Sequence, residues 1–135
     1  GAHRQLDATV IPRAVFTNPE VGAVGLSEPE AVAAGYRCRC RVLDLAVVPK
    51  AAAIRDTRGV VKMIADGRTQ RILGVQLVMP RGADIIHEAT LAVRGQLTLQ
   101  DLIDTLHVYP TLSEALRMVA QSFTRDVRQL SCCAE

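Results

Sequence analysis

The sequence predicts an α+β domain, an antiparallel sheet with helices packed on one face. Three observations carry that reading. Stretches of strand character fall mostly in the first half of the chain and helical periodicity mostly in the second. The strands are joined by links compatible with hairpins. The chain has 135 residues, 49% of them apolar, which is enough for one core and one domain.

Composition removes several classes of function. Lys and Arg total 16 against 14 for Asp and Glu, and the aromatic residues are Phe16, Tyr36, Tyr109 and Phe123. That leaves neither a basic footprint nor a stacking platform, so no nucleic acid is expected as a partner. No apolar run approaches the ~18–20 residues of a membrane helix, and no signal peptide is evident, so no membrane partner is expected either. The four cysteines fall in two pairs, Cys38 with Cys40 and Cys132 with Cys133. That is not the framework of a small secreted domain, and a reducing cytoplasm is the expected location.

Taken in order, residues 1–9 read as a lead-in from upstream domains. Residues 10–16 read as a strand with Pro12 near its start, where a missing amide is tolerated at a sheet edge. Thr17-Asn18-Pro19 is a turn, and 21–25 a second strand. Ser27 with Glu30 has capping-box spacing, Pro29 sits in the first turn, and Gly35 ends the short helix they open. Residues 36–45 alternate: Tyr36, Cys38, Cys40 and Val42 share one face, and Arg37, Arg39 and Arg41 the other. A Cys-x-Cys strand projects both sulfurs the same way, so a metal site is conceivable there. The simpler reading packs the two cysteines under the sheet as small apolar residues. The arginines read as a solvated face.

Residues 49–54 read as a connection. Residues 59–65 and 71–79 are two strands around the turn Asp66-Gly67-Arg68-Thr69. Residues 82–94 form a helix with Ile85, Ile86, Ala89, Ala92 and Val93 inward, closed by Gly95. His87 reads as a partly exposed helix residue. Thr98 with Asp101 caps a short helix reaching 106, and His107 follows as a turn histidine that satisfies backbone groups.

The chain is organised around its last stretch, HVYPTLSEALRMVAQSFTRDVRQLSCCAE, from 107 to 135. Thr111 and Glu114 have capping-box spacing. Leu112, Ala115, Leu116, Val119, Ala120 and Phe123 then make one apolar helix face, with Arg117, Gln121 and Arg125 largely off it. A polar tail follows and delivers Cys132 and Cys133. Adjacent Cα atoms lie about 3.8 Å apart, whereas an unstrained disulfide wants roughly 5.5–6 Å. A Cys132–Cys133 disulfide would therefore be strained and easily reduced. Two neighbouring thiols, once deprotonated, instead suit a soft ion. The bland reading is a pair of incidental cysteines on a frayed end.

Several of these segments resemble one family. Tyr109-Pro110-Thr111-Leu112-Ser113-Glu114 is similar to the His-Pro-Thr-x-x-Glu that opens the last long helix of the C-terminal interface domain in the flavin-dependent pyridine-nucleotide disulfide oxidoreductases. The run from Phe16 to Leu26 resembles that domain's FTxPExAxVGxTE entry, and Ile72-Leu73-Gly74-Val75-Gln76 its xxLGxQ strand, where the glycine allows close backbone approach. Tyr109 stands where most members place a general-acid/base histidine. The mercuric-ion-reducing branch has a tyrosine there and ends in Leu-Ser-Cys-Cys-Ala, as residues 130–134 do. Pro49-Lys50-Ala51 and Asp56-Thr57-Arg58-Gly59 resemble the same branch, and the likeness runs from about 10 to 134.

The resemblance implies a dimerisation domain over residues 10–123 that pairs as a homodimer, followed by a flexible tail over 124–135. It implies a full-length enzyme that reduces Hg(II) to Hg(0) with NADPH and FAD. Cys132 and Cys133 would bind Hg(II) from its thiol complexes and pass it to a redox pair on the partner subunit. Tyr109 would be catalytic, offering a phenolic oxygen near the ion, and Glu114 could serve only as a helix cap. Cys132 and Cys133, and not Cys38 with Cys40, are the expected entry site. The chain has no G-x-G-x-x-G after a strand and no C-x4-C. It is therefore expected to bind neither FAD nor NADPH and to show no turnover alone. Other readings remain: a dimerisation domain of another flavin disulfide oxidoreductase, a freestanding soft-metal or thiol-binding module, or a plain dimerisation domain with an incidental tail.

Overall fold

The computed structural model describes residue 3 and residues 5–126, so Cys132 and Cys133 lie outside the described residues. Five strands form one sheet: β1 (Arg13–Val15), β2 (Glu20–Gly25), β3 (Cys38–Asp44), β4 (Val60–Asp66) and β5 (Ile72–Met79). Their spatial order is β1-β2-β5-β4-β3, and every pairing is antiparallel. The helices are α1 (Glu28–Ala33), α2 (Pro49–Ala53), α3 (Gly82–Arg94), α4 (Leu99–Asp104) and α5 (Glu114–Gln121). None of them is long and apolar enough to cross a membrane.

The predicted α+β class with an antiparallel sheet is what the chain forms. One sheet face carries the main core. There α3 packs over β2 and β5, α5 packs over β3 and β4, and α4 lies beside α5. The inward residues expected of the last helix are all buried: Leu112, Ala115, Leu116, Val119, Ala120 and Phe123. The opposite face holds only a small cluster, in which α1 brings Ala31 against Ile64 and Leu73, with Leu26, Cys38 and Cys40 around them.

Local chemistry explains the elements. Ser27 and Glu30 form the expected capping box on α1, as Thr98 and Asp101 do on α4. The β4–β5 turn is closed by Asp66, whose carboxylate accepts from the Thr69 hydroxyl at 2.7 Å and from the amides of Arg68 and Thr69. Led by the Thr69 hydroxyl, these donors hold its carboxyl below the usual carboxylate range. The register slips at the start of β5, where Ile64 pairs with Gly74 but Ala65 with Ile72. Leu73 is the extra residue of this bulge and turns to the α1 side. Beside it, a Cβ on Gly74 would lie 2.0 Å from the carbonyl oxygen of Leu26. The glycine lets the chain leaving β2 cross over β5.

Four expectations need correction. The first strand is shorter than predicted. Asp7 accepts from the Thr9 amide and holds a 3-10 turn over Ala8–Val10, and Pro12, which has no amide, keeps the ladder from starting before Arg13. The connection over 49–54 contains α2, a single turn that Pro49 starts and that buries Ala51.

The arginines of β3 are a solvated face only in part: Arg41 is exposed and Arg39 half-buried, and both are engaged with α5. Arg39 and Arg41 lie on the helix side of the sheet with Leu43 and reach the C-terminal end of α5. Arg39 Nη2 donates to the Phe123 carbonyl at 3.2 Å, and Arg41 Nε to that of Ser122 at 3.3 Å. Both guanidinium carbons sit over the Phe123 ring, 5.6 and 5.7 Å from its centroid. Unpaired carbonyls and the negative end of the helix dipole attract cations, and the arginine stems cover apolar surface on the way. Arg41 also donates through Nη1 to the carbonyl of Cys40 at 3.0 Å.

Lastly, the Thr111–Glu114 capping box does not form. Helix α5 begins at Glu114, and Ser113 before it already has helical backbone and makes no side-chain cap. Thr111 Oγ1 and Glu114 Oε2 are instead buried without a hydrogen-bond partner.

Two outcomes follow for stability. Gly74→Ala should lower the free energy of unfolding by about 1–3 kcal/mol, because backbone and not a side-chain end must yield to the new methyl; urea titration measures this, and a neutral result would contradict the close approach. Thr111→Val should be neutral or stabilising, since it removes a hydroxyl that bonds to nothing. Were the hydroxyl capping α5, the same change would cost about 1 kcal/mol.

Candidate functional site

The link between α4 and α5 is where the sequence places its catalytic candidate, and the structure shows what holds it. One contact fastens the link to α3, and a second ties together the two helices that the link joins. His107 is almost fully buried, with 6% of its side chain exposed, and its Nε2 lies 2.6 Å from Glu88 Oε1 on α3. Its Nδ1 lies 2.9 Å from the Thr105 carbonyl, which can only accept, so Nδ1 carries a hydrogen. Across α5, Arg117 Nε donates to the Ile103 carbonyl at 2.8 Å. The turn role expected of His107 is correct, but the tie to α3 was not foreseen. Nineteen residues separate the two partners, and no local spacing signals the pair.

Between these fastenings the chain bulges outward. Leu106 is 89% exposed, Val108 77% and Tyr109 52%. The Tyr109–Pro110 peptide is cis. Beyond it, Pro110, Thr111, Leu112 and Ser113 form one wall of a cleft of about 510 Å³, facing Arg81, Asp84 and Ile85 at the start of α3 and Lys50 and Ile54 of the α2 segment. Tyr109 thus lies half-exposed on a turn held to α3 by His107, between two helices tied to each other. Glu114, at the first position of α5, keeps one buried carboxylate oxygen without a partner.

The second candidate cluster lies on the α1 side of the sheet. Cys38 and Cys40 are free and half-buried. Glu28 lies beside Cys40, and its carboxylate accepts from Lys62 Nζ at 2.6 Å. Lys62, and then Cys40, hold the Glu28 carboxyl below its ordinary value. Burial, and then the Glu28 carboxylate, push both thiols up. Among the described residues no group of three or more His, Cys, Asp and Glu side chains is placed to hold a metal ion. Exposed His87 faces only the Asp84 carbonyl, at 3.1 Å.

The glycines that lie against the sheet do not form a cradle for a dinucleotide phosphate. A Cβ on Gly22, Gly25, Gly74 or Gly82 would strike neighbouring backbone at 3.0 Å or less. These glycines serve close packing.

Known proteins share both sequence and fold with this chain. It is 43% identical over 134 residues to a mercuric reductase of Lysinibacillus sphaericus and 46% identical over 134 residues to one of Acidithiobacillus ferrooxidans. In both cases the match covers 99% of this chain but 24% of the relative, so the chain spans about a quarter of their length. Among solved structures, LpdA from Mycobacterium tuberculosis superposes with a TM-score of 0.84 at 27% identity, over 92% of this chain and 27% of that one. The HOCl-induced flavoprotein disulfide reductase RclA of Escherichia coli superposes at 0.79 with 31% identity, over 85% of this chain and 26% of that one. Residues 11–120 match the dimerisation domain of the pyridine nucleotide-disulphide oxidoreductases, and the chain belongs to that family.

Proposed function

We propose that this domain pairs two subunits of a mercuric reductase, an enzyme that reduces Hg(II) to Hg(0) with NADPH as reductant and FAD as cofactor. The observation that carries this reading is the likeness to mercuric reductases over 99% of the chain. Tyr109, where most of the family has histidine, supports it, as does the terminal Cys132–Cys133 pair. FAD and NADPH would be held by other parts of the full-length enzyme. The cytoplasm is the compartment that keeps such thiols reduced.

In this reading Cys132 and Cys133 capture Hg(II) from small-thiol complexes. Each exchange is a thiolate attack that forms one Hg–S bond and releases one external thiolate. The attacking cysteines must first give up their protons, which the released external thiolates take up, so capture speeds up with pH until the thiols are ionised. The tail then passes the ion to the active site of the partner subunit. Tyr109 offers the ion a phenolic oxygen there, and the pinning of its turn by Glu88–His107 and Arg117 fits a group that must be presented across an interface.

Pairing is tested first. The chain should sediment as a homodimer at high micromolar concentration. Val108→Glu should give a monomer of unchanged stability, since an exposed site costs little in the monomer. A monomeric wild type would overturn the pairing, and an undisturbed dimer in the variant would place the interface away from Val108.

Entry is tested by rate. Mixed with the bis-glutathione complex of Hg(II), the wild type and Cys38→Ser with Cys40→Ser should both show a fast capture phase, which Cys132→Ala with Cys133→Ala should lack. An unchanged fast phase in the tail variant would rule out the tail as the entry site.

A further inference from the structure

The Cys38–Cys40 pair has a chemistry that neither pairing nor entry uses. Its sulfurs project from one face of an edge strand into the cluster of Leu26, Ala31, Ile64 and Leu73. Residues two apart on a strand lie about 6.6 Å from each other with parallel side chains. A disulfide needs Cβ atoms about 3.5–4.5 Å apart, so this pair stays a dithiol. A linear S–M–S unit with metal–sulfur bonds of about 2.3 Å spans about 4.6 Å. Each sulfur reaches that span by leaning about 1 Å toward the other, within its rotameric freedom.

Ligand count and charge then select the ion. With no third His, Cys, Asp or Glu completing a metal-holding group among the described residues, a tetrahedral zinc site is not available. A soft ion content with two thiolates is. Two thiolates around a divalent ion make a neutral unit, which can sit under an apolar cluster without the penalty of a buried charge. A monovalent ion would leave one negative charge there.

We propose that Cys38 and Cys40 form a second, two-coordinate site for a divalent soft cation, with mercuric ion as the matching one. Binding the free ion forms two Hg–S bonds and releases the two thiol protons to water; when the ion arrives as a bis-thiol complex, two Hg–S bonds form, two break, and the two protons leave on the displaced external thiols. No electrons move. Both sulfurs are half-buried against the apolar cluster, which restricts the approach of an incoming or displacing thiol, so exchange at the pair is slow in both directions. The pair is thus a holding site distinct from fast entry at the tail, and its existence does not depend on the proposed reductase activity.

The test uses the 135-residue chain with Cys132→Ser and Cys133→Ser, which leaves Cys38 and Cys40 as its only cysteines. It is incubated with mercuric chloride and a modest excess of glutathione, then examined by native mass spectrometry and thiol titration. The expected result is one Hg per chain, no bound glutathione, and loss of both titratable thiols. Adding Cys38→Ser or Cys40→Ser should weaken retention about 100-fold or more, because the second sulfur must then come from solution. X-ray absorption should show two sulfur neighbours at a single distance. No retained Hg, or two Hg ions each carrying a glutathione, would overturn the proposal. So would single-cysteine variants that retain Hg as well as the pair.

Discussion

The structure depends on how two helices divide one sheet face. Helix α3 covers β2 and β5, α5 covers β4 and β3, and the link between α4 and α5 has to bridge the gap. Burying Leu112, Leu116, Val119 and Phe123 fixes α5 over its two strands. Each such side chain is worth about 1.5–3 kcal/mol relative to exposure. Once both helices are seated, residues 105–113 have little freedom left. His107 reaches Glu88 on one side and Arg117 reaches Ile103 on the other, so the exposed Tyr109 turn inherits its position from the core.

Much of this was legible in the sequence. The two capping boxes that form, at Ser27–Glu30 and Thr98–Asp101, depend only on spacing within one turn. The β4–β5 hairpin announced itself through Asp66, and the last helix through its apolar stripe. Some of what failed was local, as where Asp7 and Pro49 open short turns the pattern did not mark, and the rest failed where contacts between elements decided the outcome. Thr111 and Glu114 have the spacing of a cap, but α5 starts closer to Glu114 than that spacing requires, and the cap cannot close. Alternation correctly separated the cysteines of β3 from its arginines. It could not say which face the helices would cover, and the charged set lies beneath α5 because that helix ends there with open carbonyls. The Leu73 bulge likewise puts consecutive residues of β5 on one side, which no strict period of two predicts.

The candidate site was legible as residue identity and not as geometry. Tyr109 and the motif around it were recognisable. The cleft beside it, the tie to Glu88 and the orphaned Glu114 oxygen are products of distant segments meeting. The same holds on the far side of the sheet, where Lys62 and Glu28 come to the cysteines from other elements. Cys132 and Cys133 lie outside the described residues, so their role rests on chemistry and on likeness.

The arginines over α5 have a consequence for what the sheet will not do. A sheet with two open sides invites a further strand, and with it fibrils or runaway stacking. On one side β1 is three residues long, with Pro12 just before it, and offers little to pair with. On the other, β3 is seven residues long, but its middle is interrupted by Arg41, whose guanidinium already holds the Cys40 carbonyl. A charged group folded across a strand spoils it as a template. Association is thereby steered away from strand addition, which has no natural stopping point, and toward surfaces that can close on a single partner.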